Sequence, residues 1–115
     1  MAEAHPGPDR VFAGLVFAAL ADARRRELLE LLARRPGLSA GGLAALLPVS
    51  RQAVAQHLAI LEEARLVKRR RAGRQVLFAV RTEGLTATAG WLAARAAAWE
   101  AERDPDAAQA PDFSA

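Results

Sequence analysis

The sequence predicts a mainly α-helical fold with one small β-hairpin: about five helices and two strands. Three observations carry this reading. Apolar residues recur at helical spacing in stretches that follow a capping residue, Asp22, Ser39 or Ser50. Residues 66–80 alone read as strands, around a tight Ala72-Gly73-Arg74 turn. Helical character resumes at Thr82 and runs to Asp104-Pro105.

Residues 1–9 hold two prolines and a glycine and predict a disordered lead-in. A first helix is expected over Val11–Leu20, anchored by Phe12, Leu15, Val16 and Leu20. Asp22 caps a second, Ala23–Arg34, with Leu28, Leu29, Leu31 and Leu32 as its buried stripe; Pro36-Gly37 ends it. Arg24, Arg25 and Arg26 crowd its first turn, where cations oppose the helix dipole. Phosphate contact, pairing with Glu27 and Glu30, or plain solvation would each explain them. Ser39 caps a short third helix, Ala40–Leu46, and Ser50 a fourth, Arg51 to about Ala64. The strands are expected at Leu66–Ala72 and Gln75–Val80, with Val76, Phe78 and Val80 facing inward by alternation. The last helix should run from about Thr82 to near Arg103, leaving 104–115 disordered and 10–103 as one domain.

Composition narrows the function. At 115 residues the chain is one domain, small enough that an interface with a second copy would help its stability. It has no cysteine, so disulfides, thiolate metal sites and cysteine nucleophiles are excluded, in keeping with a cytoplasmic protein. With no tyrosine and no well-spaced His/acid pair, an enzyme is not expected, nor any cofactor. The longest apolar run, Val11 to Ala21, is too short for a membrane span of ~20 residues. Charge is segregated. Between Arg24 and Arg81 thirteen Lys/Arg face four Glu, whereas the flanks are acidic. A basic middle suits a polyanionic partner, although a solvated surface would look the same.

Two short helices joined by a turn and followed by a hairpin give the order of a winged helix-turn-helix. On the fourth helix Val54, Leu58 and Leu61 form an apolar face, with Gln52, Gln56 and Ala59 opposite. Ser50, Arg51 and Gln52 sit at the end that enters the major groove in such folds, and Gln and Arg can hydrogen-bond base edges. The hairpin carries Lys68, Arg69, Arg70, Arg71 and Arg74, five cations in seven residues, suited to phosphate or the minor groove. A charged edge that blocks strand aggregation is the structural alternative. His57, the only histidine inside the fold, reads as half-buried and structural, or as a backbone or phosphate contact. Phe12, Leu15, Val16, Trp91, Leu92 and Trp99 offer more apolar surface than one thin domain needs, and are assigned to a homodimer interface.

The chain also resembles the arsenic-repressor type (ArsR/SmtB) winged-helix transcription regulators, in a branch lacking metal ligands. The resemblance spans roughly Phe12 to Trp99. Its carriers are Phe17 to Asp22, Arg24 to Leu29, Leu47 to Leu58, Leu61 to Val67, and Gly73-Arg74. It implies a dimer built from the first and last helices that represses by occupying a promoter operator on double-stranded DNA. It implies that Arg51, Gln52, Ala55 and Gln56 face DNA. The chain departs from the family pattern at Ala55, where serine is common, at Arg65, where glycine closes the helix, and at Ala23, where proline starts one. The family's metal sites use cysteines on the third helix, or Asp/His/Glu sets on the first and last; this chain lacks the cysteines and has no histidine on those helices. Metal sensing is not expected, and an inducer of unstated chemistry stays open. The competing class is a winged-helix protein-interaction module, which would want exposed apolar residues on the fourth helix; the sequence places none on its outer face.

Overall fold

The structure, a computed structural model, describes residues 8–103. The elements run α1 (Pro8–Leu20), α2 (Ala23–Arg34), α3 (Ala40–Ala44), α4 (Arg51–Glu63), β1 (Val67–Ala72), β2 (Gln75–Val80) and α5 (Glu83–Ala101). This is the expected five-helix, one-hairpin architecture. α1 starts three residues before the expected Val11, because proline is well suited to the first helical position. Residues 8 and 9 therefore leave the expected disordered lead-in; the rest of it, and the expected disordered tail 104–115, lie outside the described residues.

Local chemistry sets the boundaries. The Asp22 carboxylate accepts from the backbone N–H groups of Arg24 (2.8 Å) and Arg25 (3.2 Å) and opens α2. The backbone N–H of Arg25, helped by that of Arg24 and by the Arg25 charge, holds this carboxyl below its ordinary value. A depressed folded value contributes stability above the ordinary carboxylate range, which is lost as pH falls through it. Ser39 Oγ accepts from Gly42 N–H and Ser50 Oγ from Ala53 N–H, each at 3.0 Å. α3 stops at Ala44, short of the expected Leu46. Gly41 and Gly42 weaken its helical bias, and the chain tightens to three-residue bonds from Leu46 N–H and Leu47 N–H to the carbonyls of Leu43 and Ala44. Gly73 has φ +63° while Arg74 does not turn positive, the pattern of a II′ hairpin turn.

The two strands pair antiparallel, Val67 with Val80 through Ala72 with Gln75. Leu38, in the α2–α3 loop, bridges to Phe78: Gly37 N–H donates to the Phe78 carbonyl and Phe78 N–H to the Leu38 carbonyl, both at 2.8 Å. Phe78 alone of β2 is buried. Val76 and Val80 are half-buried, like Leu77, because a two-stranded ribbon is covered only near its root. The core gathers Val16, Leu28, Leu32, Leu43, Leu58 and Leu61 around that root. α5 packs along α1. Among the described residues no helix is long and apolar enough to cross a membrane.

α4 closes onto α5 through two unusual residues. Arg65 has φ +57°, the left-handed region that costs a residue with a Cβ about 1 kcal/mol or more. Here the side chain recovers contacts: the guanidinium lies 5.1 Å over the Phe12 ring of α1 and 3.3 Å from Glu83 of α5. Gly84 N–H then donates to the Arg65 carbonyl at 3.0 Å. A Cβ on Gly84 would overlap the Ala64 carbonyl oxygen and sit 3.0 Å from that of Arg65. Both neighbours are backbone, so Gly84→Ala should lift α5 off and cost about 1–3 kcal/mol, the scale of overpacking. Denaturant unfolding at the wild-type midpoint would contradict this.

Candidate nucleic-acid interface

On α4 the side chains divide as the periodicity requires. Val54, Leu58 and Leu61 are fully buried, whereas Ser50, Arg51, Gln52, Ala55 and Gln56 are exposed. The outer face is less uniformly polar than expected: Ile60 is 39 % exposed. It lies two turns beyond Gln52, away from the capped N-terminal end, and single exposed apolar residues are ordinary on protein surfaces.

The arginines in the first turn of α2, whose role the sequence left open, tie α2 to the end of α1, and one of them reaches α4. Arg25 donates from Nε to the Ala19 carbonyl (2.7 Å) and from Nη2 to that of Ala18 (3.0 Å), and Arg26 Nη1 donates to the Leu20 carbonyl (2.6 Å). These are the orphan carbonyls at the C-terminus of α1, capped by side chains from α2. Arg25 Nη1 also lies 3.3 Å from His57 Nδ1 on α4. A guanidinium only donates, so His57 Nδ1 is the acceptor in this contact. His57 is thus half-buried and structural, tying the recognition helix to α1 through Arg25. Arg24 pairs with Glu27 at 2.7 Å.

The hairpin divides its cations between two faces. By register Arg69 and Arg71 lie beside Phe78 and Val76, and Lys68 and Arg70 beside Ala79 and Leu77. Arg69 is committed within the chain. It donates to both oxygens of Glu62 at 2.8–3.0 Å and stacks 5.3 Å over Phe78. The hydrogen bonds to Glu62 raise its already high pKa further. Arg69 thus fastens the wing to the end of α4, and it also lines the groove beside that helix. Lys68, Arg70, Arg71 and Arg74 are exposed and pair with no described acid.

Helix and wing meet in one concave surface. A groove of about 480 Å³ is lined by Arg51 and Ala55 of α4, Gly41 of α3, and Arg69, Arg74 and Gln75 of the wing. Sequence reasoning misses Gln75; its only signal is its place directly after the Gly73-Arg74 turn. The groove is basic at both walls and carries hydrogen-bonding side chains, which suits a charged and base-bearing polymer.

The residues expected at a dimer interface separate into two groups. Val16 is 0 % exposed and belongs to the chain's own core, so its assignment to an interface is corrected. Phe12 is half-buried against that core beneath Arg65. Trp91 is half-buried, edge-to-face with Phe17 at 6.1 Å and beneath Arg95. Leu15, Leu92 and Trp99 are exposed, the last at 62 %, and Val11, Phe17 and Leu85 join them. Periodicity finds apolar faces but not which of them the chain covers itself.

No set of three His, Cys, Asp or Glu able to hold a metal ion occurs among the described residues. Glu100 and Glu102 stand two apart and cannot share a helix face.

Comparison with known proteins agrees with this geometry. The sequence profile of the bacterial regulatory protein, arsR family, matches residues 22–69, from the α2 cap to the wing. The HTH-type transcriptional regulator Rv2034 of Mycobacterium tuberculosis is 48 % identical over 80 residues, covering 70 % of this chain and 69 % of that protein. The transcriptional repressor SdpR of Bacillus subtilis is 30 % identical over 77 residues, covering 67 % of this chain and 84 % of that one. The solved structure of an ArsR-like transcriptional regulator from Rhodococcus sp. RHA1 superposes with a TM-score of 0.71 at 40 % identity, covering 79 % of this chain and 83 % of the other. With the helix-turn-helix, the wing and these relatives together, the chain belongs to the arsR family of bacterial regulatory proteins and is a transcription regulator rather than an enzyme.

Proposed function

We propose that this chain is a cytoplasmic homodimeric repressor that occupies a promoter operator on double-stranded DNA and does not answer to metal ions. The observation that carries the reading is the groove joining the exposed N-terminal half of α4 to the wing. Arg51, Gln52 and Gln56 read bases from the major groove, Ala55 lies against the base edges, and Ser50 fixes the helix end beside a phosphate. Lys68, Arg70, Arg71 and Arg74 hold the flanking backbone. Relatives named as repressors, among them SdpR, support the direction of regulation. Exposed Leu15, Leu92 and Trp99 on the paired α1 and α5 support a two-fold dimer, which would set two recognition helices about 34 Å apart, one turn of duplex. The donor set supports independence from metal.

The test is a footprint on the promoter region upstream of the chain's own gene. It should protect an imperfect palindrome with half-site centres one turn apart. Zinc, cadmium or arsenite should leave the protection unchanged. Absence of any protected segment would overturn operator binding; stoichiometric, chelator-reversible release by metal would overturn the second part.

A further inference from the structure

We propose that a cavity at the joint between α1, α2, α5 and the root of the wing binds one apolar α-amino acid, of leucine to phenylalanine size. The hollow measures about 270 Å³. That lies at the lower edge of the ~300–1,000 Å³ range of small-molecule sites, so the occupant is small. Its walls include Leu20, Leu29, Leu66 and Val80, and three charged side chains, Arg26, Glu30 and Arg81, line it as well.

Those three groups define the ligand. Arg26 and Glu30 stand four apart on α2, where opposite charges ordinarily pair. Here Arg26 turns Nη1 to the Leu20 carbonyl, and Glu30 pairs with no described residue. Arg81 is held through Nη2 by Glu83, which leaves its other N–H groups available. The mainly apolar lining thus includes two arginines and a glutamate that has no ion-pair partner among the described residues. A fatty acid would set its head group against Glu30 as well as the arginines; an alkylamine would meet both cations. A zwitterion with an apolar side chain matches all three. Its carboxylate takes Arg26 and Arg81, its ammonium takes Glu30, and its side chain fills the hollow. The walls come from α1, α2 and α5 and from the root of the hairpin, where Leu66 precedes β1 and Val80 ends β2. An occupant therefore bridges the exposed helices and the wing.

The test is isothermal calorimetry on the full chain with L-phenylalanine, 3-phenylpropionate and 2-phenylethylamine. L-phenylalanine should bind once per chain, in the millimolar range or tighter. The two probes that each lack one charge should bind about tenfold or more weakly, the scale of one charged hydrogen bond. Glu30→Gln and Arg81→Gln should weaken L-phenylalanine to a similar degree, and Ala33→Leu, at an alanine of α2 that also lines the hollow, should abolish its binding. Glu30 is exposed, so Glu30→Gln should keep the wild-type melting temperature and read the site alone. No saturable binding of L-phenylalanine or L-leucine, equal binding of all three probes, or undiminished binding by Glu30→Gln would each overturn the proposal. The measurement needs no DNA, so it stands apart from the outcome of the footprint.

Discussion

Operator affinity is expected to fall by roughly 10³–10⁵ between 50 and 200 mM salt, the loss for a protein that neutralises about 6–10 phosphates. Each chain offers Arg51, Lys68, Arg70, Arg71 and Arg74 exposed and without an acidic partner among the described residues. Two chains bring about ten such cations, the upper end of that phosphate count. Arg69 is left out of this count because it pairs with Glu62, although half of its side chain stays exposed. Binding measured by fluorescence anisotropy across that salt range gives the slope. Affinity independent of salt would mean that the wing does not touch the backbone.

Trp99→Ala is expected to split the dimer while leaving the monomer folded. The ring is 62 % exposed in the single chain, so the chain's own core does not depend on it. If a second copy buries it fully, truncation costs about 3–5 kcal/mol, a hundredfold or more in the dimer dissociation constant. Leu92, 48 % exposed on the same helix, should act in the same direction. Val16→Ala should behave differently, lowering folding stability, because Val16 lies wholly within the chain's core. Light scattering reads the mass and far-ultraviolet circular dichroism the fold. A wild-type monomer that still holds the operator tightly would overturn the interface and the palindrome together.

Much of the fold was legible because its signals are local. Asp22, Ser39 and Ser50 cap the helices they were expected to cap, and Gly73 turns the hairpin where its sequence says. α2 and β2 have the bounds their patterns imply. The outward set on α4 follows from three buried residues at helical spacing. The roles that stayed hidden are those set by long-range contact. The Arg25 guanidinium meets the α1 carbonyls and His57, the latter thirty-two residues away, and no periodicity encodes that. Arg69 and Arg70 look alike in sequence; strand alternation turns one toward Glu62 and Phe78 and the other away. Val16 and Leu15 adjoin on α1, yet one points into the core and the other outward, a choice fixed only by how α1 lies on its neighbours. Arg65 was legible as a departure, a large side chain where a left-handed residue is needed, but not its compensation by Phe12 and Glu83.

The central claim is that α4 reads sequence while the wing anchors. The most direct test compares Gln52→Ala and Gln56→Ala with Arg70→Ala and Arg71→Ala against the footprinted operator and its single-base variants. The glutamine changes should erase discrimination at particular base pairs, by about 1–3 kcal/mol each where the hydrogen bonding is bidentate. The arginine changes should weaken every sequence alike and lower the salt slope by about one unit for each phosphate left without its cation. Wing changes that alter base preference, beside glutamine changes that do not, would contradict the account.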